Sequence, residues 1–116
     1  MLAMLRPIPK SVLHDTALVR VSIPDTEAYD GRGSFGAPVE IKNVRFQSRE
    51  EMRASQYVFA DGSIGLLFVD RINSIGAFEI KPGDLVNLRG EERTAVKTTP
   101  LYGEFGVIHH WEVELR

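Results

Sequence analysis

Alternation of apolar and polar side chains with a period of two is the feature that most constrains how this chain folds. Successive side chains of a β-strand point to opposite faces, so the alternation predicts strands with one buried face. Thr16 to Ile23 alternates in this way and stops at Pro24, because proline cannot donate to a β-ladder. Its predicted inward face consists of Ala17, Val19, Val21 and Ile23. The alternation is clearest near the end of the sequence, where one face of the predicted strand carries Val107, His109, Trp111, Val113 and Leu115.

Three further segments have the character of strands. Val39 to Gln47 alternates, but the phase changes at Asn43, which predicts a β-bulge or a sharp bend there. Tyr57 to Phe59 consists of residues with high β-propensity. Ile64 to Asp70 is apolar on both faces, as is typical of a central strand.

Turn signals separate these strands. Asp61-Gly62 predicts a tight turn, and Pro82-Gly83 fits a type II turn, in which the glycine takes the positive φ. The segments Leu85 to Arg89 and Glu92 to Thr98 flank Gly90-Glu91 and predict a hairpin.

These elements together predict an all-β fold, mainly β with at most one short helix. Six or seven short strands favour a small barrel or sandwich. At 116 residues the chain has the length of one domain, so residues 1–116 are predicted to form a single domain.

Two long connections interrupt the strand pattern, at about residues 24–38 and 47–60. The first is rich in glycine and acidic residues, which predicts exposed chain. In the second, Ser48 and Glu51 have capping-box spacing, which favours a two-turn helix from Arg49 to Ser55. Because that stretch has little apolar surface, it is predicted to be either a surface turn or a segment that a neighbouring subunit orders.

Composition argues against several classes of function. The net charge is -2, from 14 Lys and Arg against 16 Asp and Glu, whereas nucleic-acid-binding proteins usually carry a basic excess. Cysteine is absent, so disulfides and thiolate metal sites do not contribute. No run approaches the ~20 apolar residues of a membrane span, so we expect a soluble protein that does not bind membranes.

Apparent catalytic and cofactor motifs lack the context that their chemistry requires. Gly31 to Gly36 matches G-x-G-x-x-G, but Pro38 and a strand pattern follow, whereas a dinucleotide site needs a helix that begins there. Ser11, His14 and Asp15 are close in sequence, which alone does not indicate a catalytic triad. We therefore expect no catalytic residue, no cofactor and no enzyme activity.

Metal binding is not expected either. His109 and His110 are successive strand residues and should point to opposite faces, with His109 packed and His110 in solvent. The acidic residues before Gly31 have calcium-loop character, but Tyr29 occupies a ligand position. Trp111, on the inward face, is predicted to be a core residue or an interface anchor.

Several stretches carry a family resemblance, in order along nearly the whole chain. They are Ile8 to Leu13, Gly36 to Phe46, Leu67 to Ser74 and Ile108 to Glu114. On these residues the sequence resembles the small minor capsid proteins of tailed phages and Gram-positive prophages, which are related to head–tail joining and head-completion (stopper) proteins. Arg89 to Thr94 departs from the family pattern, Asp-Gly-Lys-Glu-Tyr-Thr, but keeps the turn.

The resemblance implies a small β-barrel that assembles as a homo-oligomeric ring, a hexamer or dodecamer, below the portal of the DNA-filled head. The implied partners are the portal or an adaptor protein, tail proteins, and genomic DNA that passes without specific binding. The implied location is the head–tail interface of the virion, after assembly in the bacterial host cytoplasm. An OB-like nucleic-acid-binding module is the alternative function.

Two segments are candidates for contact by position. In stopper relatives, a loop after the second strand helps to close the channel. The corresponding candidate channel residues here are Gln47, Arg49, Glu50, Glu51, Arg53 and Gln56. A second candidate loop, for contact with portal or tail, contains Asp30, Arg32 and Phe35.

Overall fold

The computed structural model describes residues 6–24 and 33–116 of the chain. In this part the protein is all-β, and its helical elements are two three-residue 3₁₀ turns, Lys10–Val12 and Glu104–Gly106. The strands are β1 Asp15–Arg20, β2 Ser22–Ile23, β3 Ser34–Phe35, β4 Val39–Ser48, β5 Gly65–Asp70, β6 Leu85–Leu88, β7 Glu91–Tyr102 and β8 Ile108–Leu115.

Six of the strands close into an antiparallel barrel in the order β1-β4-β5-β8-β7-β6, with β6 returning to β1. The predicted all-β class is confirmed, and of the two predicted architectures the chain adopts the barrel. β5 lies between β4 and β8 and is buried on both faces, as its apolar sequence predicted. Closure pairs both edges of the sheet, which removes the exposed edges that an open sheet would present.

The core fills the inside of this barrel. Its buried apolar side chains are Ala17, Val19, Ile41, Val44, Leu67, Val69, Ile80, Val86, Leu88, Ala95, Trp111, Val113 and Leu115. Trp111, Val113 and Leu115 alternate along β8, so the inward face predicted for the last strand is confirmed over this stretch. Trp111 is 8% exposed and therefore belongs to the core rather than to an exposed surface.

Asn43 forms the predicted β-bulge. Asp15 pairs with Val44 and Thr16 pairs with Lys42, so Asn43 is the extra residue on β4. Its φ is 59°, in the left-handed region that asparagine tolerates better than most residues. Beyond the bulge, β4 leaves β1 and pairs with β5. The bulge is thus the point at which β4 changes partner.

Substitutions at Asn43 should follow the cost of its positive φ. Asn43→Val should destabilise the protein by about 2 kcal/mol, because a β-branched residue is strained in this region. Asn43→Gly should cost only about 1 kcal/mol or less, because glycine adopts this conformation freely and loses only the side-chain hydrogen bond to the Asn73 carbonyl. Urea unfolding of the two variants measures the difference. Equal stability of the two variants would contradict this account of the bulge.

The predicted strand from Thr16 to Ile23 is correct only as far as Arg20. Ala17 and Val19 are fully buried, but Val21 is 41% exposed and Ile23 is 49% exposed, so the prediction that they face the core is wrong. The chain leaves the barrel after Arg20, and β2 pairs with β3 in a separate two-stranded sheet. We call residues 21–23 and 33–36 the arm. The predicted connection at 24–38 therefore contains a strand.

The predicted turns are present, one of them displaced. Gly62 and Gly83 have φ of 83° and 98°, at the positions that the Asp-Gly and Pro-Gly signals indicated. The β6–β7 hairpin turns at Arg89-Gly90, one residue earlier than predicted, and both residues have positive φ. This is the type I′ geometry, which matches the twist of the paired strands.

Candidate functional site

The connection between β4 and β5, residues 49–64, lies at the opposite end of the barrel from the arm. β1 runs from Asp15 to Arg20 and β4 returns beside it from Val39 to Ser48. The arm therefore extends from the end where β1 stops and β4 begins. The 49–64 connection starts where β4 stops, at the other end.

The first half of this connection is an exposed turn rather than a helix, so the two-turn helix expected over Arg49 to Ser55 is not formed. The capping pair exists: the Glu51 amide donates to Ser48 Oγ at 3.1 Å, and Ser48 Oγ lies 3.2 Å from Glu51 Oε1. A helix needs an apolar face that packs, and this stretch is exposed at nearly every position. We call residues 49–55 the polar turn.

The second half, Tyr57 to Phe59, is not a strand, contrary to its β-propensity. These residues follow the polar turn and form neither a turn nor a bend. They have no ladder partner in the described part of the chain. The Tyr57 and Phe59 rings pack edge to face at 4.7 Å, and the Arg49 guanidinium lies 5.4 Å from the Phe59 centroid. Together with Met52 they line an open concavity of about 520 Å³.

Glu114 fastens this second half to the barrel wall. Its carboxylate accepts hydrogen bonds from the Tyr57 hydroxyl at 2.7 Å, the Ala60 amide at 3.1 Å and the Ser63 hydroxyl at 2.6 Å. Glu114 occupies the outer phase of β8, yet it is only 1% exposed because the connection covers it. Sequence reasoning missed this residue, since a glutamate on the outer phase of a strand normally indicates a solvated face.

The ionisation of this cluster follows from its contacts. Burial by itself would raise the pKa of the Glu114 carboxyl, but hydrogen bonds from Ser63, Tyr57 and the Ala60 amide, together with the charge of Lys97, lower the pKa below its ordinary value. Burial and the adjacent Glu114 carboxylate raise the pKa of the Tyr57 phenol. Near neutral pH the pair is therefore a carboxylate that accepts from a neutral phenol.

The structure brings together some of the predicted channel residues and separates others. Arg49, Glu50 and Arg53 border the same concavity, and Arg53 Nη1 lies 3.2 Å from Glu50 Oε1. Glu51 is occupied with Ser48, and Gln56 is exposed where the polar turn ends. Gln47 lies apart, since it is a β4 residue on the outer barrel wall beside Phe68 and His110.

The predicted partner-contact loop is described only at its base. Asp30 and Arg32 lie outside the described residues, whereas Phe35 is in β3 at the base of the arm. The Arg20 guanidinium lies 5.7 Å from the Phe35 ring centroid. The buried Asp84 accepts from the Ser22 amide at 2.8 Å, which fixes the direction in which the arm leaves the barrel.

The two adjacent histidines do not point to opposite faces, so the expectation of a packed His109 beside a solvated His110 is wrong. Leu101 pairs with His110 and Tyr102 pairs with Ile108, which makes His109 an extra residue on β8. A bulge places two successive side chains on one side. As a result the two Nδ1 atoms are 2.8 Å apart, and His110 Nε2 is 3.0 Å from a Glu112 oxygen, with the His110 side chain only 14% exposed.

Among residues 6–24 and 33–116, no group of three or more His, Asp or Glu side chains is arranged to hold a metal ion. Ser11 and His14 are exposed, and Asp15 forms an ion pair with Arg89 at 2.9 Å, so this sequence cluster has a structural use. The calcium-like residues around Tyr29 lie outside the described residues. No helix in the described part is long and apolar enough to cross a membrane.

The fold and this site define a class: a small closed β-barrel that presents an arm at one end and a charged turn at the other. Comparison with protein-family models matches residues 9–115 to the model described as minor capsid protein. The match spans nearly the whole sequence, and the chain belongs to the minor capsid protein family. No curated protein and no solved structure matches the chain. Family membership indicates a structural role in a phage particle and a place in the virion.

Proposed function

We propose that this minor capsid protein is a head–tail connector that forms a ring below the portal and helps to close the DNA channel. The observation that carries the proposal is the position of two exposed segments. The arm and the polar turn lie at opposite ends of one barrel; the buried Asp84 holds the arm, and the buried Glu114 holds the chain that follows the polar turn. Two different exposed segments allow each copy to contact two neighbours through different surfaces, as a closed ring requires.

A homo-oligomeric ring, a hexamer or dodecamer, is the assembly that suits a channel. Closed rings need heterologous contacts, in which two different surfaces of each copy meet. The portal or an adaptor would bind one end of the ring and tail proteins the other. Genomic DNA would pass without specific binding, and a net charge of -2 is compatible with that, since strong phosphate binding needs a basic surface.

The polar turn is the part that would close the channel. Arg49, Glu50, Glu51 and Arg53 are exposed, and their charges balance. Balanced charge gives the turn hydrophilic contacts with its copies around a ring without making it a binding site for DNA. Exposed ion pairs of this kind add little to the stability of the monomer, so these charges are free to serve contacts between subunits.

Production of particles without this chain tests the connector role. We expect DNA-filled heads that carry no tails, and rescue by the wild-type chain supplied in trans. Electron microscopy counts tailed and tailless particles, and mass spectrometry checks that the chain is present in complete particles. Tailed, infectious particles that lack the chain would refute the proposal.

The closing role is tested by the double variant Glu50→Ala, Arg53→Ala, which removes the exposed ion pair of the polar turn and leaves its net charge unchanged. Both side chains are exposed, so the free energy of unfolding should stay within about 0.5 kcal/mol of wild type. We expect filled heads that release DNA before tails attach, measured as nuclease-sensitive DNA. A matched control is Glu92→Ala, an exposed charge on a barrel strand, which should retain DNA.

Nucleic-acid binding is the second candidate function, and one feature favours it. The concavity beside the polar turn combines two arginines with the Tyr57 and Phe59 rings, the residue types that stack on bases. The adjacent Glu50 and Glu51 oppose phosphate binding. Titration with single-stranded DNA at low salt distinguishes the two: salt-sensitive micromolar affinity supports this candidate, and no binding supports the connector.

A further inference from the structure

The segment from Tyr57 to Phe59 has the properties of a β-strand that lacks its partner. Its residues have high β-propensity, and they form neither a turn nor a bend. Hydrogen bonds to Glu114 from the Tyr57 hydroxyl and the Ala60 amide hold the segment on the barrel. The backbone amides and carbonyls of Val58 and Phe59 have no hydrogen-bond partner within residues 6–24 and 33–116. Val58 is 85% exposed, so the segment is accessible to another chain.

A second unpaired edge lies on β3 of the arm. Ser22 pairs with Phe35, and the amide of Gly36 donates to Val21 across the arm. In an antiparallel pair, successive residues direct their backbone groups alternately toward and away from the partner strand. The Ser22 amide points away from β3 and donates to Asp84. By the same alternation the amide and carbonyl of Phe35 point away from β2, toward an edge that is open in the described residues.

These two edges cannot meet within one molecule, because they lie at opposite ends of the barrel. We propose that β3 of one copy adds as a strand to the Tyr57–Phe59 segment of the next copy. This inference rests on the proposed ring and identifies the contact that builds it. The contact joins two different surfaces, so it repeats from copy to copy and closes where the rotation between copies permits.

Side chains beside the two edges complement each other. Phe35 is 37% exposed on the arm. Next to the Tyr57–Phe59 segment is the concavity of about 520 Å³, with Met52 among its lining residues. An aromatic side chain that enters such a concavity is a typical interface anchor. Strand pairing thus sets the register, and Phe35 supplies the buried apolar contact.

Single cysteines test this pairing, because the chain has none of its own. Residues opposite each other in adjacent strands have Cα atoms about 4.5–5.5 Å apart, within the range that a disulfide spans. A mixture of Ser34→Cys and Val58→Cys protein, concentrated and mildly oxidised, should form the mixed 34–58 disulfide. Its yield should be at least about tenfold above that of a control mixture of Ser34→Cys and Glu91→Cys, since Glu91 is exposed but lies in a paired hairpin.

The same link is sought in assembled particles that carry the double variant Ser34→Cys, Val58→Cys, where it should give a ladder of covalent multimers. Mixed disulfide at control level in concentrated protein, with no ladder in particles, overturns the strand pairing. Particles that contain the chain but lack the ladder overturn this inference and leave the connector role intact. Particles that lack the chain overturn the connector role, whatever the disulfide in solution shows.

A proline variant separates backbone pairing from general surface contact. With Ser34 opposite Val58, the alternation directs the Phe59 amide toward the incoming strand. Phe59→Pro removes that amide, whereas Phe59→Val keeps it, and both variants lose the aromatic ring. In mixtures of Ser34→Cys protein with Val58→Cys protein that carries either change, we expect the 34–58 disulfide yield to be about tenfold or more lower with proline than with valine. Equal yields from the two variants would contradict strand addition.

Discussion

Glu114→Ala is expected to release the whole second half of the β4–β5 connection and to cost about 3 kcal/mol of unfolding free energy. The substitution leaves the Tyr57 hydroxyl, the Ala60 amide and the Ser63 hydroxyl without their acceptor in a covered site. Each buried donor without a partner costs about 1–3 kcal/mol, and hydration after release offsets part of the sum. Denaturant unfolding measures the loss. Trypsin cleavage after Arg49 and Arg53 should become at least about tenfold faster, since the connection then opens locally.

Two comparisons isolate the role of the carboxylate. Tyr57→Phe removes one of the three hydrogen bonds and should cost about 1 kcal/mol. Glu92→Ala removes an exposed glutamate from a barrel strand and should change stability by less than about 0.5 kcal/mol. If Glu114→Ala behaved like Glu92→Ala, the connection would not be held by this residue.

The stabilisation by Glu114 should also depend on pH. Its pKa is lowered in the folded protein from the ordinary value of 4.5. The contribution is therefore complete above pH 4.5 and is lost as the pH falls through the lower folded-state pKa. Wild type and Glu114→Ala should thus converge in stability toward low pH.

Gly65→Val is expected to destabilise the barrel by about 3 kcal/mol or more, through overpacking against backbone. A Cβ atom at this position would lie 2.3 Å from the carbonyl oxygen of Gln47 on the paired strand β4. That oxygen belongs to the β-ladder and cannot move without breaking it. Since Gly65 opens β5 directly after the connection, the change should also loosen the polar turn.

Gly36→Ala is the matched control for Gly65→Val. Its Cβ would meet the Val21 carbonyl oxygen at 3.8 Å, an ordinary van der Waals contact. Gly36→Ala should therefore remain within about 0.5 kcal/mol of wild type. A Gly65 variant that unfolds at the same denaturant concentration as the Gly36 variant would show that close strand approach is not the constraint.

The barrel was predictable from sequence because its strands carry their own signal. Alternation in the last strand, the apolar run from Ile64 to Asp70 and the phase change at Asn43 each correspond to a feature of the barrel. These are consequences of local side-chain direction, which a sequence displays directly. The choice between barrel and sandwich depends on which strands pair, and that information is not local.

The errors fall where tertiary contacts override local pattern. Val21 continues the alternation of β1, but the chain has already left the barrel there. Tyr57 to Phe59 has strand propensity without a partner strand in the described residues. The bulge at His109 reverses the side on which that residue lies, with no sequence signal comparable to the phase change at Asn43.

The candidate site was predictable only in outline. Position along the chain indicated the connection at 47–60, and its exposed charges were evident from composition. The attachment of the connection to the barrel was not predictable. The residue that holds it, Glu114, lies some fifty positions later and has the pattern of an ordinary outward-facing strand residue. Contacts over that separation become visible only when β8 is placed beside β5.

Electron cryomicroscopy of intact tailed particles tests the connector role most directly. Copies of the barrel should form a closed ring on the particle axis between the portal and the tail, with the polar turn directed toward the channel. Copies found on the shell surface, or on the tail away from this junction, would contradict it.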